Sequence, residues 1–306
     1  MVNFIIAPFR APRSAKEYQK LWTPEGSPIK VYGFALEKLL QERLGEDYLV
    51  HLGMRYQQPS LATTLSKFKD KGLEKLIVLP LFPQYASATT GSVHQKVMEI
   101  VSKWQTIPKI SFIHHFFDHP SFIKASASIG TSYLEKQNYD HIIFSYHGLP
   151  ERQLRKADST GNCLKIGGEN PDLASQANCC AQLHPLNKSC YRAQCFAQSR
   201  LLAQALNIKE EDYTVCFQSR LGKSPWIQPY TDDVIRKLAQ EGKKSILAFA
   251  PSFVADCLET TIEVGEEYKE LFESLGGEHW QLVESLNTNP LWIQCIEELI
   301  LQESSF

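Results

Sequence analysis

The stretch DHIIFSYHGLPER, Asp140 to Arg152, runs apolar and aromatic residues straight into His147 and then breaks on Gly148 and Pro150. An imidazole at a strand end beside a cleft suits proton transfer or a metal ion. The same placement also suits a strand that simply ends on a polar residue and a turn. A second group lies in APSFVADCLETTIEVGEEYKEL, residues 250–271, where Asp256 precedes Glu259, Glu263 and Glu267. Their four-residue spacing puts three carboxylates on one helical face, although like charges so placed repel by about a few tenths of a kcal/mol per pair. A D-x-x-E capping box accounts for Asp256 and Glu259 and leaves the other two, while a solvated acidic face accounts for all four. If the ridge faces His147, imidazole and carboxylates together offer ligands for a divalent first-row metal and bases for protons.

CFQSRLGKSPWIQPYTDD, residues 216–233, places Arg220, Lys223 and Trp226 after a strand end. A cation for a carboxylate and an indole for a ring face suit a flat, apolar, anionic ligand. A surface loop with an anchoring tryptophan is the alternative. LPLFPQYASATTGSVHQK, residues 79–96, follows another strand, and its hydroxyls, Ser87 among them, stand with backbone amides at a helix start able to hold carboxylates. An ordinary strand, turn and N-cap explains it as well. Cys163, Cys179, Cys180, Cys190 and Cys195 read C-x15-CC-x9-C-x4-C, and five is an odd number for a closed set of disulfides. Four thiolates can hold a [2Fe–2S] cluster or a structural zinc, and the lack of C-x2-C knuckles weakens zinc. A metal centre would order a loop otherwise too poor in apolar residues to order itself. His114 and His115, in an alternating aromatic strand end, suit packing more than ligation. Cys216, Cys257 and Cys295 fall in apolar contexts where buried free thiols are ordinary.

The elements that must position these residues are legible as short β-rich apolar runs at 47–53, 74–82, 109–116, 141–148, 213–219, 244–252 and 280–286, separated by segments of helical period. Continuous apolar strands alternating with helices predict an α/β doubly wound fold with parallel sheets covered on both faces. Ligands in such folds lie beyond the carboxyl ends of the strands, where His147 stands. Ser27, Pro28 and Gly45 predict the N-cap, first position and stop of one helix, and Thr231 and Gly242 bracket another. The loop 158–190 is long for a compact domain.

The length of 306 residues predicts two domains, divided between 117 and 140. A net charge of −2 with no basic run gives no electrostatic case for nucleic acid. Apolar runs stay short of the ~18 residues of a membrane span, and the opening MVNFIIAPFR is too short for a signal-peptide core. A cytoplasmic protein is expected, with eight cysteines that are not a secreted disulfide framework.

Taken together, FSYHGLPER, FQSRLGKSPWIQPYTDD, FVADCLET, LPLFPQYASATTGS, WTPEGSPI and ESLNTNP resemble motifs of the ferrochelatases, in the family's order and over nearly the whole chain from about Ala11. The resemblance implies two Rossmann-like lobes clasping a porphyrin in the cleft between them, here residues 1–125 and 126–306, with a cysteine-rich insertion at 158–195. It implies insertion of Fe2+ into protoporphyrin IX to give protoheme, the last step of heme biosynthesis. His147 and Glu259 would be the central pair for metal entry and pyrrole deprotonation. Glu263 and Asp256 would lie on an acidic path behind them, Arg55 and Arg220 near the propionates, and Trp226 near the macrocycle. A peripheral membrane contact would serve an insoluble porphyrin.

Two departures from the family accompany the resemblance. The family opens with a strand of the type LLVNLGTP and a long loop, and this sequence begins at about the point where that loop ends. The expectation is either a first lobe lacking that strand and part of the porphyrin's lip, or a start that lies upstream. The insertion is similar to the [2Fe–2S] segment of some bacterial ferrochelatases, four of whose five cysteines would suffice, in a structural or sensing role. A cobalt or nickel chelatase acting on a sirohydrochlorin-type ring, and a non-catalytic porphyrin or iron redox sensor, are the alternative functions.

Overall fold

A computed structural model of the chain describes residues 18–158, 163, 180, 182, 183, 185 and 187–304. Its larger sheet is fully parallel, ordered β4-β3-β5-β6, from β3 (His141–His147), β4 (Tyr213–Gln218), β5 (Ser245–Phe249) and β6 (His279–Leu282). The run Ile142 to Tyr146 is buried throughout, as a central strand covered on both faces must be. On one face Ile143, Cys216, Ile246 and Ala248 meet α7 (Thr231–Gln240), the π-helix Leu258–Glu267 and α8 (Tyr268–Ser274). On the other, Phe144, Phe217, Leu247 and Phe249 share a core with α4 (Pro120–Leu134), α6 (Tyr191–Ala205) and α9 (Pro290–Ser304). That core continues into the first lobe through Leu36, Leu40, Ala86 and Ile113. The helix α4 itself contains residue 125, so the lobes meet through a shared apolar interior.

The first lobe carries α1 (Pro28–Leu44), α2 (Leu61–Ser66), β1 (Lys75–Val78), α3 (Ser92–Val101) and β2 (Lys109–Phe112), and β1 and β2 pair in parallel. The short helix α5 (Glu151–Ala157) follows β3. The chain returns at its end to the first lobe, where α9 packs on α1 and β1. Arg43 of α1 pairs with Glu297 of α9. Among the described residues no helix is long and apolar enough to cross a membrane.

Two sequence readings change in the structure. Residues 47–53, expected as a strand, form no ladder among the described residues. The side chains of α1 replace one. Gln41 Oε1 accepts from Val50 N at 3.0 Å and its Nε2 donates to the Tyr48 carbonyl at 2.9 Å, while Glu37 accepts from Leu52 N at 2.9 Å. A ladder needs a neighbour about 4.8 Å away. This segment and β1 instead line one cavity of about 1740 Å³, together with α1 and α9. The second change concerns caps. Ser27 and Gly45 flank α1 as expected, Gly45 adopting φ 75°. Thr231, however, is the first residue of α7, and its buried hydroxyl meets Ser145 and Cys216.

His141 opens β3 buried, with Nε2 2.9 Å from Thr214 Oγ1. Burial, then the nearby Lys243 charge, lowers its proton affinity from the usual 6.5 to about 4. The unfolded chain therefore binds a proton that the fold excludes. The associated stability is present above pH 6.5 and is lost as pH falls toward 4, up to about 3 kcal/mol. Urea unfolding between these limits should show a falling midpoint, and His141→Gln should remove most of that fall. An unchanged pH dependence would contradict this. Gln41→Ala should separately cost about 1–2 kcal/mol by stripping partners from Tyr48 and Val50, read as a lower urea midpoint.

Candidate active site

β3 pairs with β5 only from His141 to Phe144, but with β4 up to His147 against Gln218. Its last three residues outrun one neighbour. The His147 backbone therefore takes partners from elsewhere on the β5 side: its N–H donates to Ser252 Oγ at 3.3 Å, and its carbonyl accepts from Tyr191 Oη at 2.8 Å. On the β4 side, Gly148 N donates to the Gln218 carbonyl at 2.8 Å. No Cβ fits at Gly148, since it would lie 2.8 Å from that same oxygen and 3.2 Å from the Trp226 ring.

The imidazole of His147 has Nδ1 2.7 Å from the Gly148 carbonyl. A carbonyl only accepts, so Nδ1 carries a proton, and in the neutral ring it is Nε2 that presents the lone pair. Trp226 and Phe253 flank the ring, each with centroids 6.3 Å away. Trp226 is itself fixed by Nε1 donating to the Leu221 carbonyl at 2.9 Å.

A cavity of about 390 Å³ opens beside His147 and is lined by Glu259, Glu263 and Glu267 with Ser219, Leu221, Leu258 and Ile262. The carboxylate ridge thus faces the histidine. The element carrying it is a π-helix, Leu258–Glu267, whose N-cap is Cys257: Thr260 Oγ1 accepts from Cys257 N at 2.9 Å. The expected Asp256 box does not form. Asp256 instead accepts from Ser285 N at 3.0 Å and Asn287 Nδ2 at 2.7 Å, tying the ridge to the ESLNTNP segment.

Glu263 is held by four donors: Ser219 N at 2.8 Å, Ser219 Oγ at 2.5 Å, Tyr268 Oη at 3.1 Å and Gln218 Nε2 at 3.3 Å. Ser219 reaches it from a left-handed backbone, φ 65°, uncommon for a residue with a side chain and concentrated at functional positions. Glu259 lies beside the Cys257 thiol, which burial and then this charge push up well beyond the usual range for a thiol. Tyr18 is raised too, by burial first and by Glu259 second.

The other expected residues are placed less closely. Arg55 lines the larger cavity, with Nε 2.8 Å from Ser92 Oγ and its guanidinium 4.6 Å over Tyr56. Ser87 is exposed at the start of the π-turn Ser87–Gly91 that precedes α3. Arg220 stacks 4.2 Å over Tyr230 and stands 3.8 Å from Asp232. His114 stacks on Tyr85 with centroids 4.0 Å apart, and burial lowers its proton affinity. Ser219, Gln218, Ser252 and Tyr191 were not anticipated, because each acts through a contact distant in sequence, and Tyr268, only five residues after Glu263, was not anticipated either.

Among the cysteines, Cys179 lies outside the described residues. The Cys190 thiol lies near those of Cys163 and Cys180, with its proton held more tightly chiefly by Cys163, and burial does the same to the Cys195 thiol. Arg192 Nη1 lies 3.1 Å from Cys180 Sγ. Among the described residues no group of three or more His, Cys, Asp or Glu is arranged to hold a metal ion. The donor set is right in kind for an iron–sulfur centre, and its thiols are neighbours rather than a ligating cage. Cys216, Cys257 and Cys295 are free and buried, as expected.

The fold matches solved structures. SirB from Bacillus subtilis with Fe3+ superposes with a TM-score of 0.56 at 13% identity, covering 90% of this chain and 91% of that one. CbiX, described as the terminal enzyme for biosynthesis of siroheme in denitrifying bacteria, gives 0.51 at 13% identity, covering 90% and 94%. Among curated proteins, the ferrochelatase of Legionella pneumophila strain Lens is 42% identical over 303 residues, 99% of this chain and 86% of that protein. That of Coxiella burnetii strain Dugway 5J108-111 is 42% identical over 299 residues, 98% and 80%. The ferrochelatase family model matches residues 1–304, and the chain belongs to the ferrochelatase family.

Proposed function

We propose that this enzyme inserts Fe2+ into protoporphyrin IX at His147, with the Glu259, Glu263 and Glu267 ridge opposite it. The observation that carries the reading is the shared cavity: an imidazole with a free Nε2 lone pair faces a row of carboxylates across space for an ion. Porphyrin must lose two N–H protons as the dication enters. His147 Nε2 accepts one proton where the macrocycle nitrogens would stand, and the Glu259 carboxylate takes the second. Glu263, gripped by four donors, fixes the ridge and contributes its charge. Asp256 acts from behind, by tying the ridge to Ser285 and Asn287.

The larger apolar cavity, which also reaches Glu259, suits the macrocycle. Arg55 lies on its wall, placed for a propionate, and Ser87 stands close to that wall beside Ala88 and Thr89. Arg220 would serve a second propionate by leaving Tyr230 and Asp232, both exposed or half-buried partners with little hold on it. Trp226 covers a ring face beside His147.

Four of Cys163, Cys179, Cys180, Cys190 and Cys195 would hold a [2Fe–2S] cluster in a structural or sensing role. Supporting this are the thiol contacts of Cys190 and the Arg192 guanidinium beside Cys180, a cation suited to a thiolate centre. Bound there, the cluster would supply one-electron redox chemistry and cross-link the insertion to α6. Location in the cytoplasm with a peripheral membrane contact fits an insoluble substrate.

His147→Ala should lower Fe2+ or Zn2+ insertion into protoporphyrin at least about 100-fold, the low end of what a positioned acid–base group contributes. Porphyrin binding, followed by fluorescence quenching, should persist. Wild-type rates in the variant, or activity on a polycarboxylated sirohydrochlorin-type ring instead, would overturn the assignment. Gly148→Ala should both lower the melting temperature and slow insertion, because its Cβ meets backbone at 2.8 Å. Anaerobically purified protein should show visible absorption that bleaches on reduction, whereas a colourless protein with one zinc would remove the cluster.

A further inference from the structure

The backbone of His147 is held by a closed relay of three hydrogen bonds, and its ring by a fourth. Its N–H donates to Ser252 Oγ at 3.3 Å, Ser252 donates to Tyr191 Oη at 3.0 Å, and Tyr191 donates to the carbonyl of His147 at 2.8 Å. The fourth bond, from Nδ1 to the Gly148 carbonyl, sets the tautomer of the ring. The relay exists because the β3–β5 ladder stops at Phe144 and Phe249, so no strand serves this side of His147. Without it, the His147 N–H and carbonyl would both lack partners, and only the Gly148 N–H bond to the Gln218 carbonyl would hold the 147–148 peptide.

Tyr191 is buried, packs within the main core and is the first residue of α6, whose N-cap is Cys190. The next residue, Arg192, is 2% exposed and holds both Cys180 Sγ at 3.1 Å and the Gln228 carbonyl at 3.1 Å. The first turn of α6 thus grips the cysteine site, the Trp226–Tyr230 loop and the backbone of the histidine at once.

We infer that Tyr191 is a positioning residue for His147: its hydroxyl, through the carbonyl it binds and through Ser252 on the N–H, fixes the backbone on both sides of His147 and so keeps the imidazole in the tautomer with Nε2 unprotonated. This rests on the reading of His147 as the proton acceptor. Buried in the main core, the residue acts on how often the imidazole is correctly presented rather than on substrate affinity.

Tyr191→Phe removes one oxygen from the core and keeps the ring. Its insertion kcat should fall about tenfold, the loss expected for one buried hydrogen bond, with KM for porphyrin and for Zn2+ within about twofold of wild type. Ser252→Ala should reproduce the effect from the other side of the relay. The decisive readout is the ring-nitrogen NMR signals of 15N-histidine-labelled protein, with His147 assigned by its absence in His147→Ala. Wild type should show one tautomer, protonated at Nδ1, and Tyr191→Phe a mixture of two. An unchanged kcat, or a lower kcat that tracks only a smaller folded fraction while the ring signals stay those of wild type, would overturn the inference. Should His147→Ala itself insert metal at the wild-type rate, the acceptor role falls, while a tautomer mixture in Tyr191→Phe would still establish positioning of the ring.

Discussion

The site depends on β3 running three residues past the end of its pairing with β5 while keeping its pairing with β4. A buried backbone group without a partner is costly, so the exposed side of that overhang must be served by side chains. Ser252, three residues beyond β5, and Tyr191, at the start of α6, do so. The overhang carries His147 beyond the sheet into the cleft, and the closeness of Gly148 to the Gln218 carbonyl lets the chain turn away at once.

Charge in the cleft is arranged by the same economy of backbone. Three carboxylates around one cavity repel, and the structure offsets this by aiming donors at the middle one: Ser219 N and Oγ, Gln218 Nε2 and Tyr268 Oη all meet Glu263. Gln218 is the β4 partner of His147, and it also donates to the backbone carbonyl of Glu259 at 3.0 Å. One residue therefore fixes the spacing between the imidazole's strand and the acidic helix. The result is a row of carboxylates held opposite the His147 imidazole.

Much of this was legible in the sequence because it is periodic or local. The buried run Ile142 to Tyr146 marked a central parallel strand, Ser27, Pro28 and Gly45 bracketed α1, and Glu259, Glu263 and Glu267 at four-residue spacing did face His147. What was not legible lay in non-local hydrogen bonding. Residues 47–53 carry a strand's composition, but composition does not provide a neighbour, and Gln41 and Glu37 take that part from a helix. Asp256 matched a capping pattern, yet Asn287 and Ser285, some thirty positions away, bind it and leave Cys257 as the cap. Tyr191 drew no notice between cysteines, since nothing local distinguishes a core tyrosine from one whose hydroxyl meets a strand end.

The cleft's chemistry can be read most directly by locating the ion. Crystals of the protein soaked in Co2+ or Zn2+, with anomalous data collected at the metal edge, should place a peak in the small cavity at about 2.0–2.2 Å from His147 Nε2 and from a Glu259 carboxylate oxygen. Well-ordered metal elsewhere in the cleft, with His147 Nε2 out of coordination reach in a fully occupied site, would contradict the account.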